Sequence, residues 1–314
     1  YGRSAREFPR ERCVDRRGAL PYPPPAMDYE LHRMSAAGNA FYLALDREPE
    51  AGAALARRVA AGRDLAPLGD WPPAGPSDGL ILCARPAAGP PRQHMLNPDG
   101  SSGHCANGLR CLAWLLAREG LLPADGIIET VDGPVALRVT GERVEAALGT
   151  LRRLPGFPPP EAPTTIALEG EALTGYAAFV GNPQFVLFGD AALQARVREL
   201  GPRLQQHPRF PDGVNVEFVH RRPEAGGEAW TVRVWERGAG ETLACGTGAL
   251  AVAGVGPEGI ARGETRTLVY PGGPLSVRRD AADRLHLAGP VRYEGRYRLA
   301  ALTASQHTER EGGR

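Results

Sequence analysis

The chain has 314 residues, of which 42% are hydrophobic and 23% charged, a balance typical of a globular protein with one large domain or two ordinary ones. Its net charge of +1 at pH 7 gives no long-range attraction to nucleic acid or to an anionic membrane. All 37 basic residues are arginine, and the lack of lysine excludes pyridoxal-phosphate and other Schiff-base enzymes as well as a Walker A phosphate loop.

Short apolar runs separated by Gly, Pro and Asp predict alternating strands and helices between two irregular ends. Residues 1–26 lack the apolar core of a secretory signal, and we expect them to be a disordered or non-native extension, with a second disordered tail at 301–314. The apolar pattern predicts strands over 41–45 and 80–83, a helix over 50–61 between them, and a helix over 109–119. Asp132-Gly133 indicates the turn of a hairpin between strands at 127–131 and 135–139. A proline-rich stretch at 155–163 indicates a linker.

The second half of the chain repeats short pieces of the first half in the same order. The repeated pieces begin at Gly38 and Gly181, Asp78 and Asp212, Cys105 and Cys245, and Gly133 and Gly273, with offsets of 143, 134, 140 and 140 residues. Four matches at nearly one spacing predict a duplicated α/β fold with two homologous domains.

Five cysteines, at positions 13, 83, 105, 111 and 245, are spread along the chain without a C-x-x-C pair. This pattern is not that of a disulfide framework or a zinc site, and it predicts free thiols in a reducing, cytoplasmic compartment. No segment is apolar over the length that a membrane span needs. We expect Cys83 and Cys111 to be buried structural residues.

Cys105 and Cys245 each follow a turn and open an apolar helix, the first running on to Arg118 and the second, over 249–255, ending before Gly256. Free backbone N–H groups at a helix start can hold a substrate carboxylate, and the same position predicts a lowered thiol pKa. Two halves related by a pseudo-two-fold axis would place the thiols on opposite faces of a carbon centre. One could then remove a proton while the other returns one. His104, beside Cys105, is a second candidate base.

These residues resemble the diaminopimelate epimerase family over roughly residues 29–300. The strongest match is 234–248, V-W-E-R-G-A-G-E-T-L-A-C-G-T-G, which is similar to the family signature except at its aromatic residue. Shorter matches lie at 38–41, 97–101, 105–108, 181–183, 215 and 271–273. The resemblance implies two domains, each a curved mixed sheet around a central helix, at 27–148 plus 290–300 and at 149–289. The last strand would return to the first domain.

The resemblance also implies a cofactor-independent isomerase that interconverts LL- and meso-diaminopimelate in lysine biosynthesis. Its only partner would be a small amino-acid substrate, with no metal, nucleic acid or membrane, and a homodimer is left open. Cys105 and Cys245 would be the acid and base. The implied ligands of the α-carboxylate are the N–H groups of Ala106, Asn107, Gly246 and Thr247. The implied ligands of the distal group are Asn39, Asn97, Asn182, Asn215, Glu236 and Arg237.

Three residues depart from the family pattern: Ala106 replaces a glycine, Gln184 a histidine, and Gly79 a glutamine. They leave two alternatives open. One is a related two-cysteine racemase of another amino acid, such as proline or hydroxyproline. The other is a binding paralogue with impaired catalysis.

Overall fold

The computed structural model describes residues 29–47, 52–224 and 227–299. The expectations for residues 1–26, for the tail at 301–314 and for Cys13 lie outside this range, as do the first two residues of the helix predicted over 50–61. Among the described residues, no helix is both long and apolar enough to cross a membrane.

Strands dominate the first half of the described chain, and two helices interrupt them. The strands are β1 (Tyr29–Ala36), β2 (Asn39–Leu45), β3 (Leu65–Pro67), β4 (Gly79–Ala84), β5 (Arg92–Leu96), β6 (Ser102–Gly103), β7 (Asp125–Thr130), β8 (Gly133–Thr140) and β9 (Arg143–Gly149). The helices are α1 (Gly52–Val59) and α2 (Ala106–Arg118).

The second half of the described chain also consists mainly of strands, and it has three helices. Its strands are β10 (Thr164–Leu168), β11 (Glu171–Val180), β12 (Asn182–Gly189), β13 (Asn215–Glu224), β14 (Gly227–Glu236), β15 (Gly240–Thr242), β16 (Thr265–Tyr270), β17 (Gly273–Arg279), β18 (Leu285–Pro290) and β19 (Arg292–Leu299). Its helices are α3 (Ala191–Ala195), α4 (Val197–Gln205) and α5 (Gly246–Gly254).

The order of strand pairing in the first half recurs in the second. In the first half β2 pairs antiparallel with β1 and parallel with β4, and β5 pairs antiparallel with β4 and parallel with β7. In the second half β12 likewise pairs antiparallel with β11 and parallel with β13, and β14 pairs antiparallel with β13 and parallel with β16. The fold is therefore mixed α/β, as predicted, and the pairing repeats as the sequence does.

Each half packs its sheet around one apolar helix. Helix α2 buries Leu109, Leu112 and Leu116 and contacts β1, β2, β4, β5, β8 and β9. Helix α5 buries every residue from Gly248 to Gly254, and it contacts β11, β12, β13, β17 and β18. A helix that is apolar on all sides belongs in a core. These are the two central helices that the sequence predicts, and each begins three residues earlier in the structure than predicted.

Strand pairings join the two halves at two places. Strand β18 pairs antiparallel with β9, and β19 pairs antiparallel with β1 and β3. The last strand thus returns to the beginning of the described chain, as the family resemblance implies. The boundaries of the two domains stay a prediction.

The proline-rich stretch at 155–163 is packed against the second half rather than forming a free linker. Phe157 is buried and stacks on Phe210 with ring centroids 4.9 Å apart, and Leu154 is also buried. The proline pattern correctly indicated irregular backbone, but the apolar residues among the prolines anchor it.

Candidate active site

The two cysteines singled out by the repeat stand at the starts of the two central helices. Cys105 is the N-cap of α2 and Cys245 the N-cap of α5, each with extended backbone angles. The helix starts adjoin, because a Cβ placed on Gly246 would lie 3.0 Å from the Cβ of Ala106. The residues that follow the two cysteines therefore touch, and two sets of free N–H groups lie at one place.

Cys245 is enclosed by polar groups that reach its sulfur. The N–H of Gly248 donates to Sγ at 3.3 Å, the Thr247 hydroxyl lies at 3.4 Å, and the Asn215 amide nitrogen at 3.9 Å. Burial raises the pKa of this thiol well above its usual value, and the carboxyls of Glu236 and Glu217 raise it further. The donors from Thr247 and Gly248 act in the opposite direction.

Cys105 has a different environment, because this residue is only partly buried whereas Cys245 is buried. Burial raises the pKa of its thiol, while the nearby N–H groups of Gly108 and Asn107 lower it. The sequence predicted a lowered pKa for both thiols, and this expectation is wrong. Helix-start N–H groups favour the charged form of both thiols, but desolvation disfavours it more strongly.

A buried carboxyl that the sequence analysis missed lies beside the second thiol. Glu217 on β13 is completely buried, and its Oε2 accepts a hydrogen bond from the Tyr270 hydroxyl at 3.2 Å. Its Oε1 has no partner among the described residues. A Cβ on Gly248 would overlap this carboxyl, so only glycine fits there. The available signal was an acidic residue inside the apolar run N-V-E-F-V.

A buried guanidinium, also missed, lies behind the first thiol. Arg110 on α2 is completely buried, and its Nη2 donates to the Asn107 Oδ1 at 2.8 Å. Its Nε and Nη1 have no partner among the described residues. Gly289 on β18 leaves room for it, since a Cβ there would lie 3.1 Å from Nη2. An arginine between the apolar residues of the predicted helix was the available signal.

Amide side chains connect four of the predicted site residues to the helix starts. Asn107 donates to the Asn39 Oδ1 at 2.8 Å. The Asn215 Oδ1 accepts from the N–H of Arg237 at 2.8 Å, which places Arg237 at the same end of β14 as Glu236. Glu236 accepts a hydrogen bond from the Thr242 hydroxyl, and burial raises the pKa of its carboxyl.

Three other side chains point to different surroundings. The Arg237 guanidinium donates to the carbonyl of Asp212 at 2.8 Å and lines a surface pocket of about 490 Å³ beside α4. Asn97 donates to the Ser101 hydroxyl at 3.0 Å within its own turn. His104 is exposed and pairs with Asp132 of the β7–β8 hairpin at 2.8 Å. The described residues contain no cluster of three or more potential metal ligands.

Comparison with known proteins supports the family that the site suggests. The family model for diaminopimelate epimerase matches residues 176–293. The diaminopimelate epimerase of Geobacillus kaustophilus is 39% identical over 232 residues, which cover 68% of this chain and 79% of that protein. The enzyme of the same name from Moorella thermoacetica is 34% identical over 229 residues, covering 68% of this chain and 81% of that protein.

The chain belongs to the diaminopimelate epimerase family. It is therefore an isomerase.

Solved structures with low sequence identity share the fold of this epimerase. A phenazine biosynthesis protein of the PhzF family from Bacillus anthracis superposes with a TM-score of 0.62 at 12% identity, covering 87% of this chain and 99% of that chain. A hydroxyproline epimerase from Agrobacterium vitis superposes with a TM-score of 0.57 at 16% identity, covering 87% and 92%. At these identities the likeness concerns the fold alone.

The structure explains how this epimerase accommodates its three departures from the family pattern. The Ala106 methyl fills the space facing Gly246. Gln184 is completely buried and donates to the Asn182 Oδ1 at 2.5 Å and to the Thr247 hydroxyl at 3.0 Å, so it fixes two predicted ligands. Gly79 leaves no room for a side chain, because a Cβ would lie 2.3 Å from the Met95 Cε and 2.6 Å from the Leu96 carbonyl.

Proposed function

We propose that this epimerase interconverts LL- and meso-diaminopimelate by moving one proton off, and another onto, the α-carbon with Cys105 and Cys245. The observation that carries the proposal is the contact between the two helix starts, at Ala106 and Gly246. This contact brings the two thiols close to the same set of backbone N–H groups, which can bind one carboxylate. We further propose that the reaction belongs to cytoplasmic lysine biosynthesis, in keeping with the relatives' names and the free thiols.

In this mechanism, the α-carboxylate binds to the N–H groups at the starts of α2 and α5. One cysteine, as thiolate, takes the α-proton and becomes a thiol. The carbanion is stabilised through its carboxylate by those N–H donors, whose effect is strong because water is excluded. The other cysteine gives its proton to the opposite face and becomes the thiolate. The two thiols have then exchanged protonation states, and the reverse reaction can follow.

The groups on the side of Glu236 favour a substrate with a second charged end. Glu236 can pair with an ammonium, and Arg237 can exchange the Asp212 carbonyl for both oxygens of a carboxylate. Diaminopimelate carries both groups at its distal centre. A ligand without them, such as proline, would leave these polar groups without partners, at a cost in affinity.

The test follows the exchange of the α-proton of diaminopimelate in D₂O for the wild type and for Cys105→Ala and Cys245→Ala. Each variant should lose at least about 100-fold in epimerisation rate, the usual contribution of a positioned acid or base. Cys111→Ala is the matched control, because Cys111 is a buried thiol on the same helix as Cys105. Its epimerisation rate should remain close to that of the wild type. Undiminished epimerisation in either Ala variant at 105 or 245 would remove the mechanism.

The same assay with a panel of amino acids separates the two alternatives. Exchange with proline or hydroxyproline but not with diaminopimelate would identify the related racemase. Saturable binding of diaminopimelate without exchange in the wild type would identify the binding paralogue.

A further inference from the structure

We propose that two buried positioning residues, Arg110 and Glu217, make the thiol sites electrostatically unequal, so that Cys105 gives up its proton more readily than Cys245 does. The inference deepens the proposed function and rests on it for its mechanistic meaning. It depends on which charges the fold encloses behind each helix start.

Behind the first thiol the fold encloses a cation. The guanidinium of Arg110 is completely buried and donates to the side chain of Asn107, the second residue after Cys105. Its positive charge lowers the pKa of the Cys105 thiol. Two nitrogens of Arg110 have no hydrogen-bond partner among the described residues, and the third donates to an amide oxygen rather than to a carboxylate. A buried charge without a counterion is strongly unfavourable. A thiolate that forms on Cys105 supplies the missing negative charge, so Arg110 acts against the desolvation that raises the pKa of this thiol.

Other groups around this site do not supply that charge. Burial lowers the pKa of Arg110 to about 10, so the side chain remains a cation at neutral pH. Cys111 is adjacent, but burial raises the pKa of its thiol and holds it neutral. Arg143 from β9 faces Arg110 with the same sign of charge. Glu236 from β14 faces Cys105 and opposes its ionisation, but burial raises the pKa of the Glu236 carboxyl itself.

Behind the second thiol the fold encloses acidic groups. Glu217 from β13, Glu236 from β14 and Tyr270 from β16 all face Cys245, and helix α5 itself carries no charged side chain. Glu217 lies against Gly248, the residue whose N–H donates to the Cys245 sulfur. A carboxyl group is intrinsically more acidic than a thiol by about four pH units. Any negative charge in this pocket therefore resides on a carboxyl first, and Cys245 keeps its proton.

This inequality has a consequence for the catalytic cycle. The stereoisomer whose α-hydrogen faces Cys105 meets the thiol that ionises first as the pH rises. The other stereoisomer depends on ionisation of Cys245, which requires a higher pH. Arg110 and Glu217 thus act through the cysteines, without contact with the reacting atoms.

The experiment measures how fast iodoacetamide alkylates each cysteine of the wild type over a pH series. Trypsin cleaves after Arg92, Arg110, Arg118 and Arg237, which leaves Cys105, Cys111 and Cys245 on separate peptides for mass spectrometry. The pH at which each alkylation rate reaches half of its maximum, the midpoint, reports the pKa of that thiol. The maximal rate itself also depends on how easily iodoacetamide reaches the sulfur. We expect the midpoint of Cys105 to lie below that of Cys245 by at least about one pH unit. Equal midpoints or the reverse order would overturn the inference.

Variants then assign the difference to the two charges. Arg110→Met should raise the midpoint of Cys105 by about one pH unit, and Arg110→Lys should restore most of it because the positive charge is kept. Glu217→Gln should lower the midpoint of Cys245 and leave that of Cys105 in place. Without the cleavage site at Arg110, fragment ions distinguish Cys105 from Cys111. An unchanged Cys105 midpoint in a folded Arg110→Met protein would contradict the role of Arg110, and should that variant not fold, the wild-type midpoints decide.

The pH profile of kcat/KM gives a second readout that a purely structural role would not move. Its acidic limb should follow the Cys105 midpoint in the Arg110 variants, since the thiolate is the base of the free enzyme. Failure of this inference is distinct from failure of the proposed function. If the Cys105 midpoint lies below that of Cys245 but no α-proton is exchanged, the proposed reaction is wrong and the inequality of the thiols stands. If α-proton exchange needs both thiols but their midpoints are equal, only the inequality is wrong.

Discussion

At the scale of single residues, the carboxyl of Glu217 illustrates how burial changes the chemistry of an ordinary side chain. Glu217 is completely buried, and among the described residues its carboxyl has one hydrogen-bond partner, the Tyr270 hydroxyl. Burial raises the pKa of its carboxyl well above the usual value, and the nearby Glu236 carboxyl raises it further. Folding therefore favours the protonated acid at this position, which links the stability of the protein to pH.

We expect Glu217→Gln to become more stable relative to the wild type as the pH rises. Because the pKa of Glu217 is higher in the folded chain than in the unfolded chain, the folded protein binds more protons between the two values. Wild-type stability therefore falls as the pH rises from about 4.3, by up to about 1.4 kcal/mol per pH unit from this group. Urea unfolding of both proteins between pH 4.5 and 8 measures the difference.

Glu199→Gln is the control with the opposite sign. A hydrogen bond from Arg196 lowers the pKa of the exposed Glu199 carboxyl. This group stabilises the folded protein above its unfolded pKa, and the contribution is lost as the pH falls through the folded pKa. The Glu199 variant should therefore be the less stable protein at neutral pH, with the difference disappearing in acid. A Glu217→Gln protein that shows this same direction would contradict a raised pKa at Glu217.

At the scale of elements, the pairing of β9 with β18 connects the two halves next to the buried Arg110. The side chain of Arg278 on β17 reaches across β18 to Glu145 on β9, with Nη2 2.5 Å from Oε1. Both side chains are about a third exposed or less, so this pair is better shielded from solvent than most surface pairs. It joins strands that are far apart in the sequence.

A double-mutant cycle with Glu145→Gln and Arg278→Met should give a coupling energy of about 1 kcal/mol, and this energy should decrease at high salt. The pair of Arg138 and Asp125 within the β7–β8 hairpin is the matched control, because both of its side chains are largely exposed. Its coupling energy should be close to zero. Equal coupling energies for the two pairs would show that shielding at the junction contributes nothing.

At the scale of the whole molecule, the last strand completes a core that the first strands begin. Strand β19 pairs with β1 along its length and with β3, and it buries Tyr297 and Leu299 completely. These side chains pack with Leu31, Tyr42 and Leu80 from the beginning of the described chain. The described fold therefore cannot be complete until β19 has been synthesised.

A chain that ends after Pro290 lacks β19 and should not unfold cooperatively. It loses two fully buried side chains and leaves two strands of the sheet without their partner, which together exceed the net stability of an ordinary domain. A chain that ends after Leu299 keeps all described strands and should melt close to the full-length protein. Thermal unfolding followed by circular dichroism compares the two. A cooperative transition in the shorter chain would show that the strand is dispensable.

Local signals in the sequence were sufficient for much of the fold. The hairpin at Asp132-Gly133 forms as predicted, with Gly133 at a φ of 107° that favours glycine. The two helices begin at the paired cysteines, and the strands predicted at 41–45 and 80–83 lie within β2 and β4. These features depend on residues that are close in the sequence, so the sequence alone predicts them.

The sequence by itself determined the family, the duplicated order of elements and the pair of cysteines that start the central helices. The tertiary structure decided which charges stand behind those cysteines and the direction in which the thiol pKa values move. Arg110 and Glu217 look like ordinary helix and strand residues in the sequence. Their effect arises only because distant strands, β18 beside Arg110 and β16 beside Glu217, remove water from them. The strength of a charge in a protein depends on this surrounding medium, which no local pattern encodes.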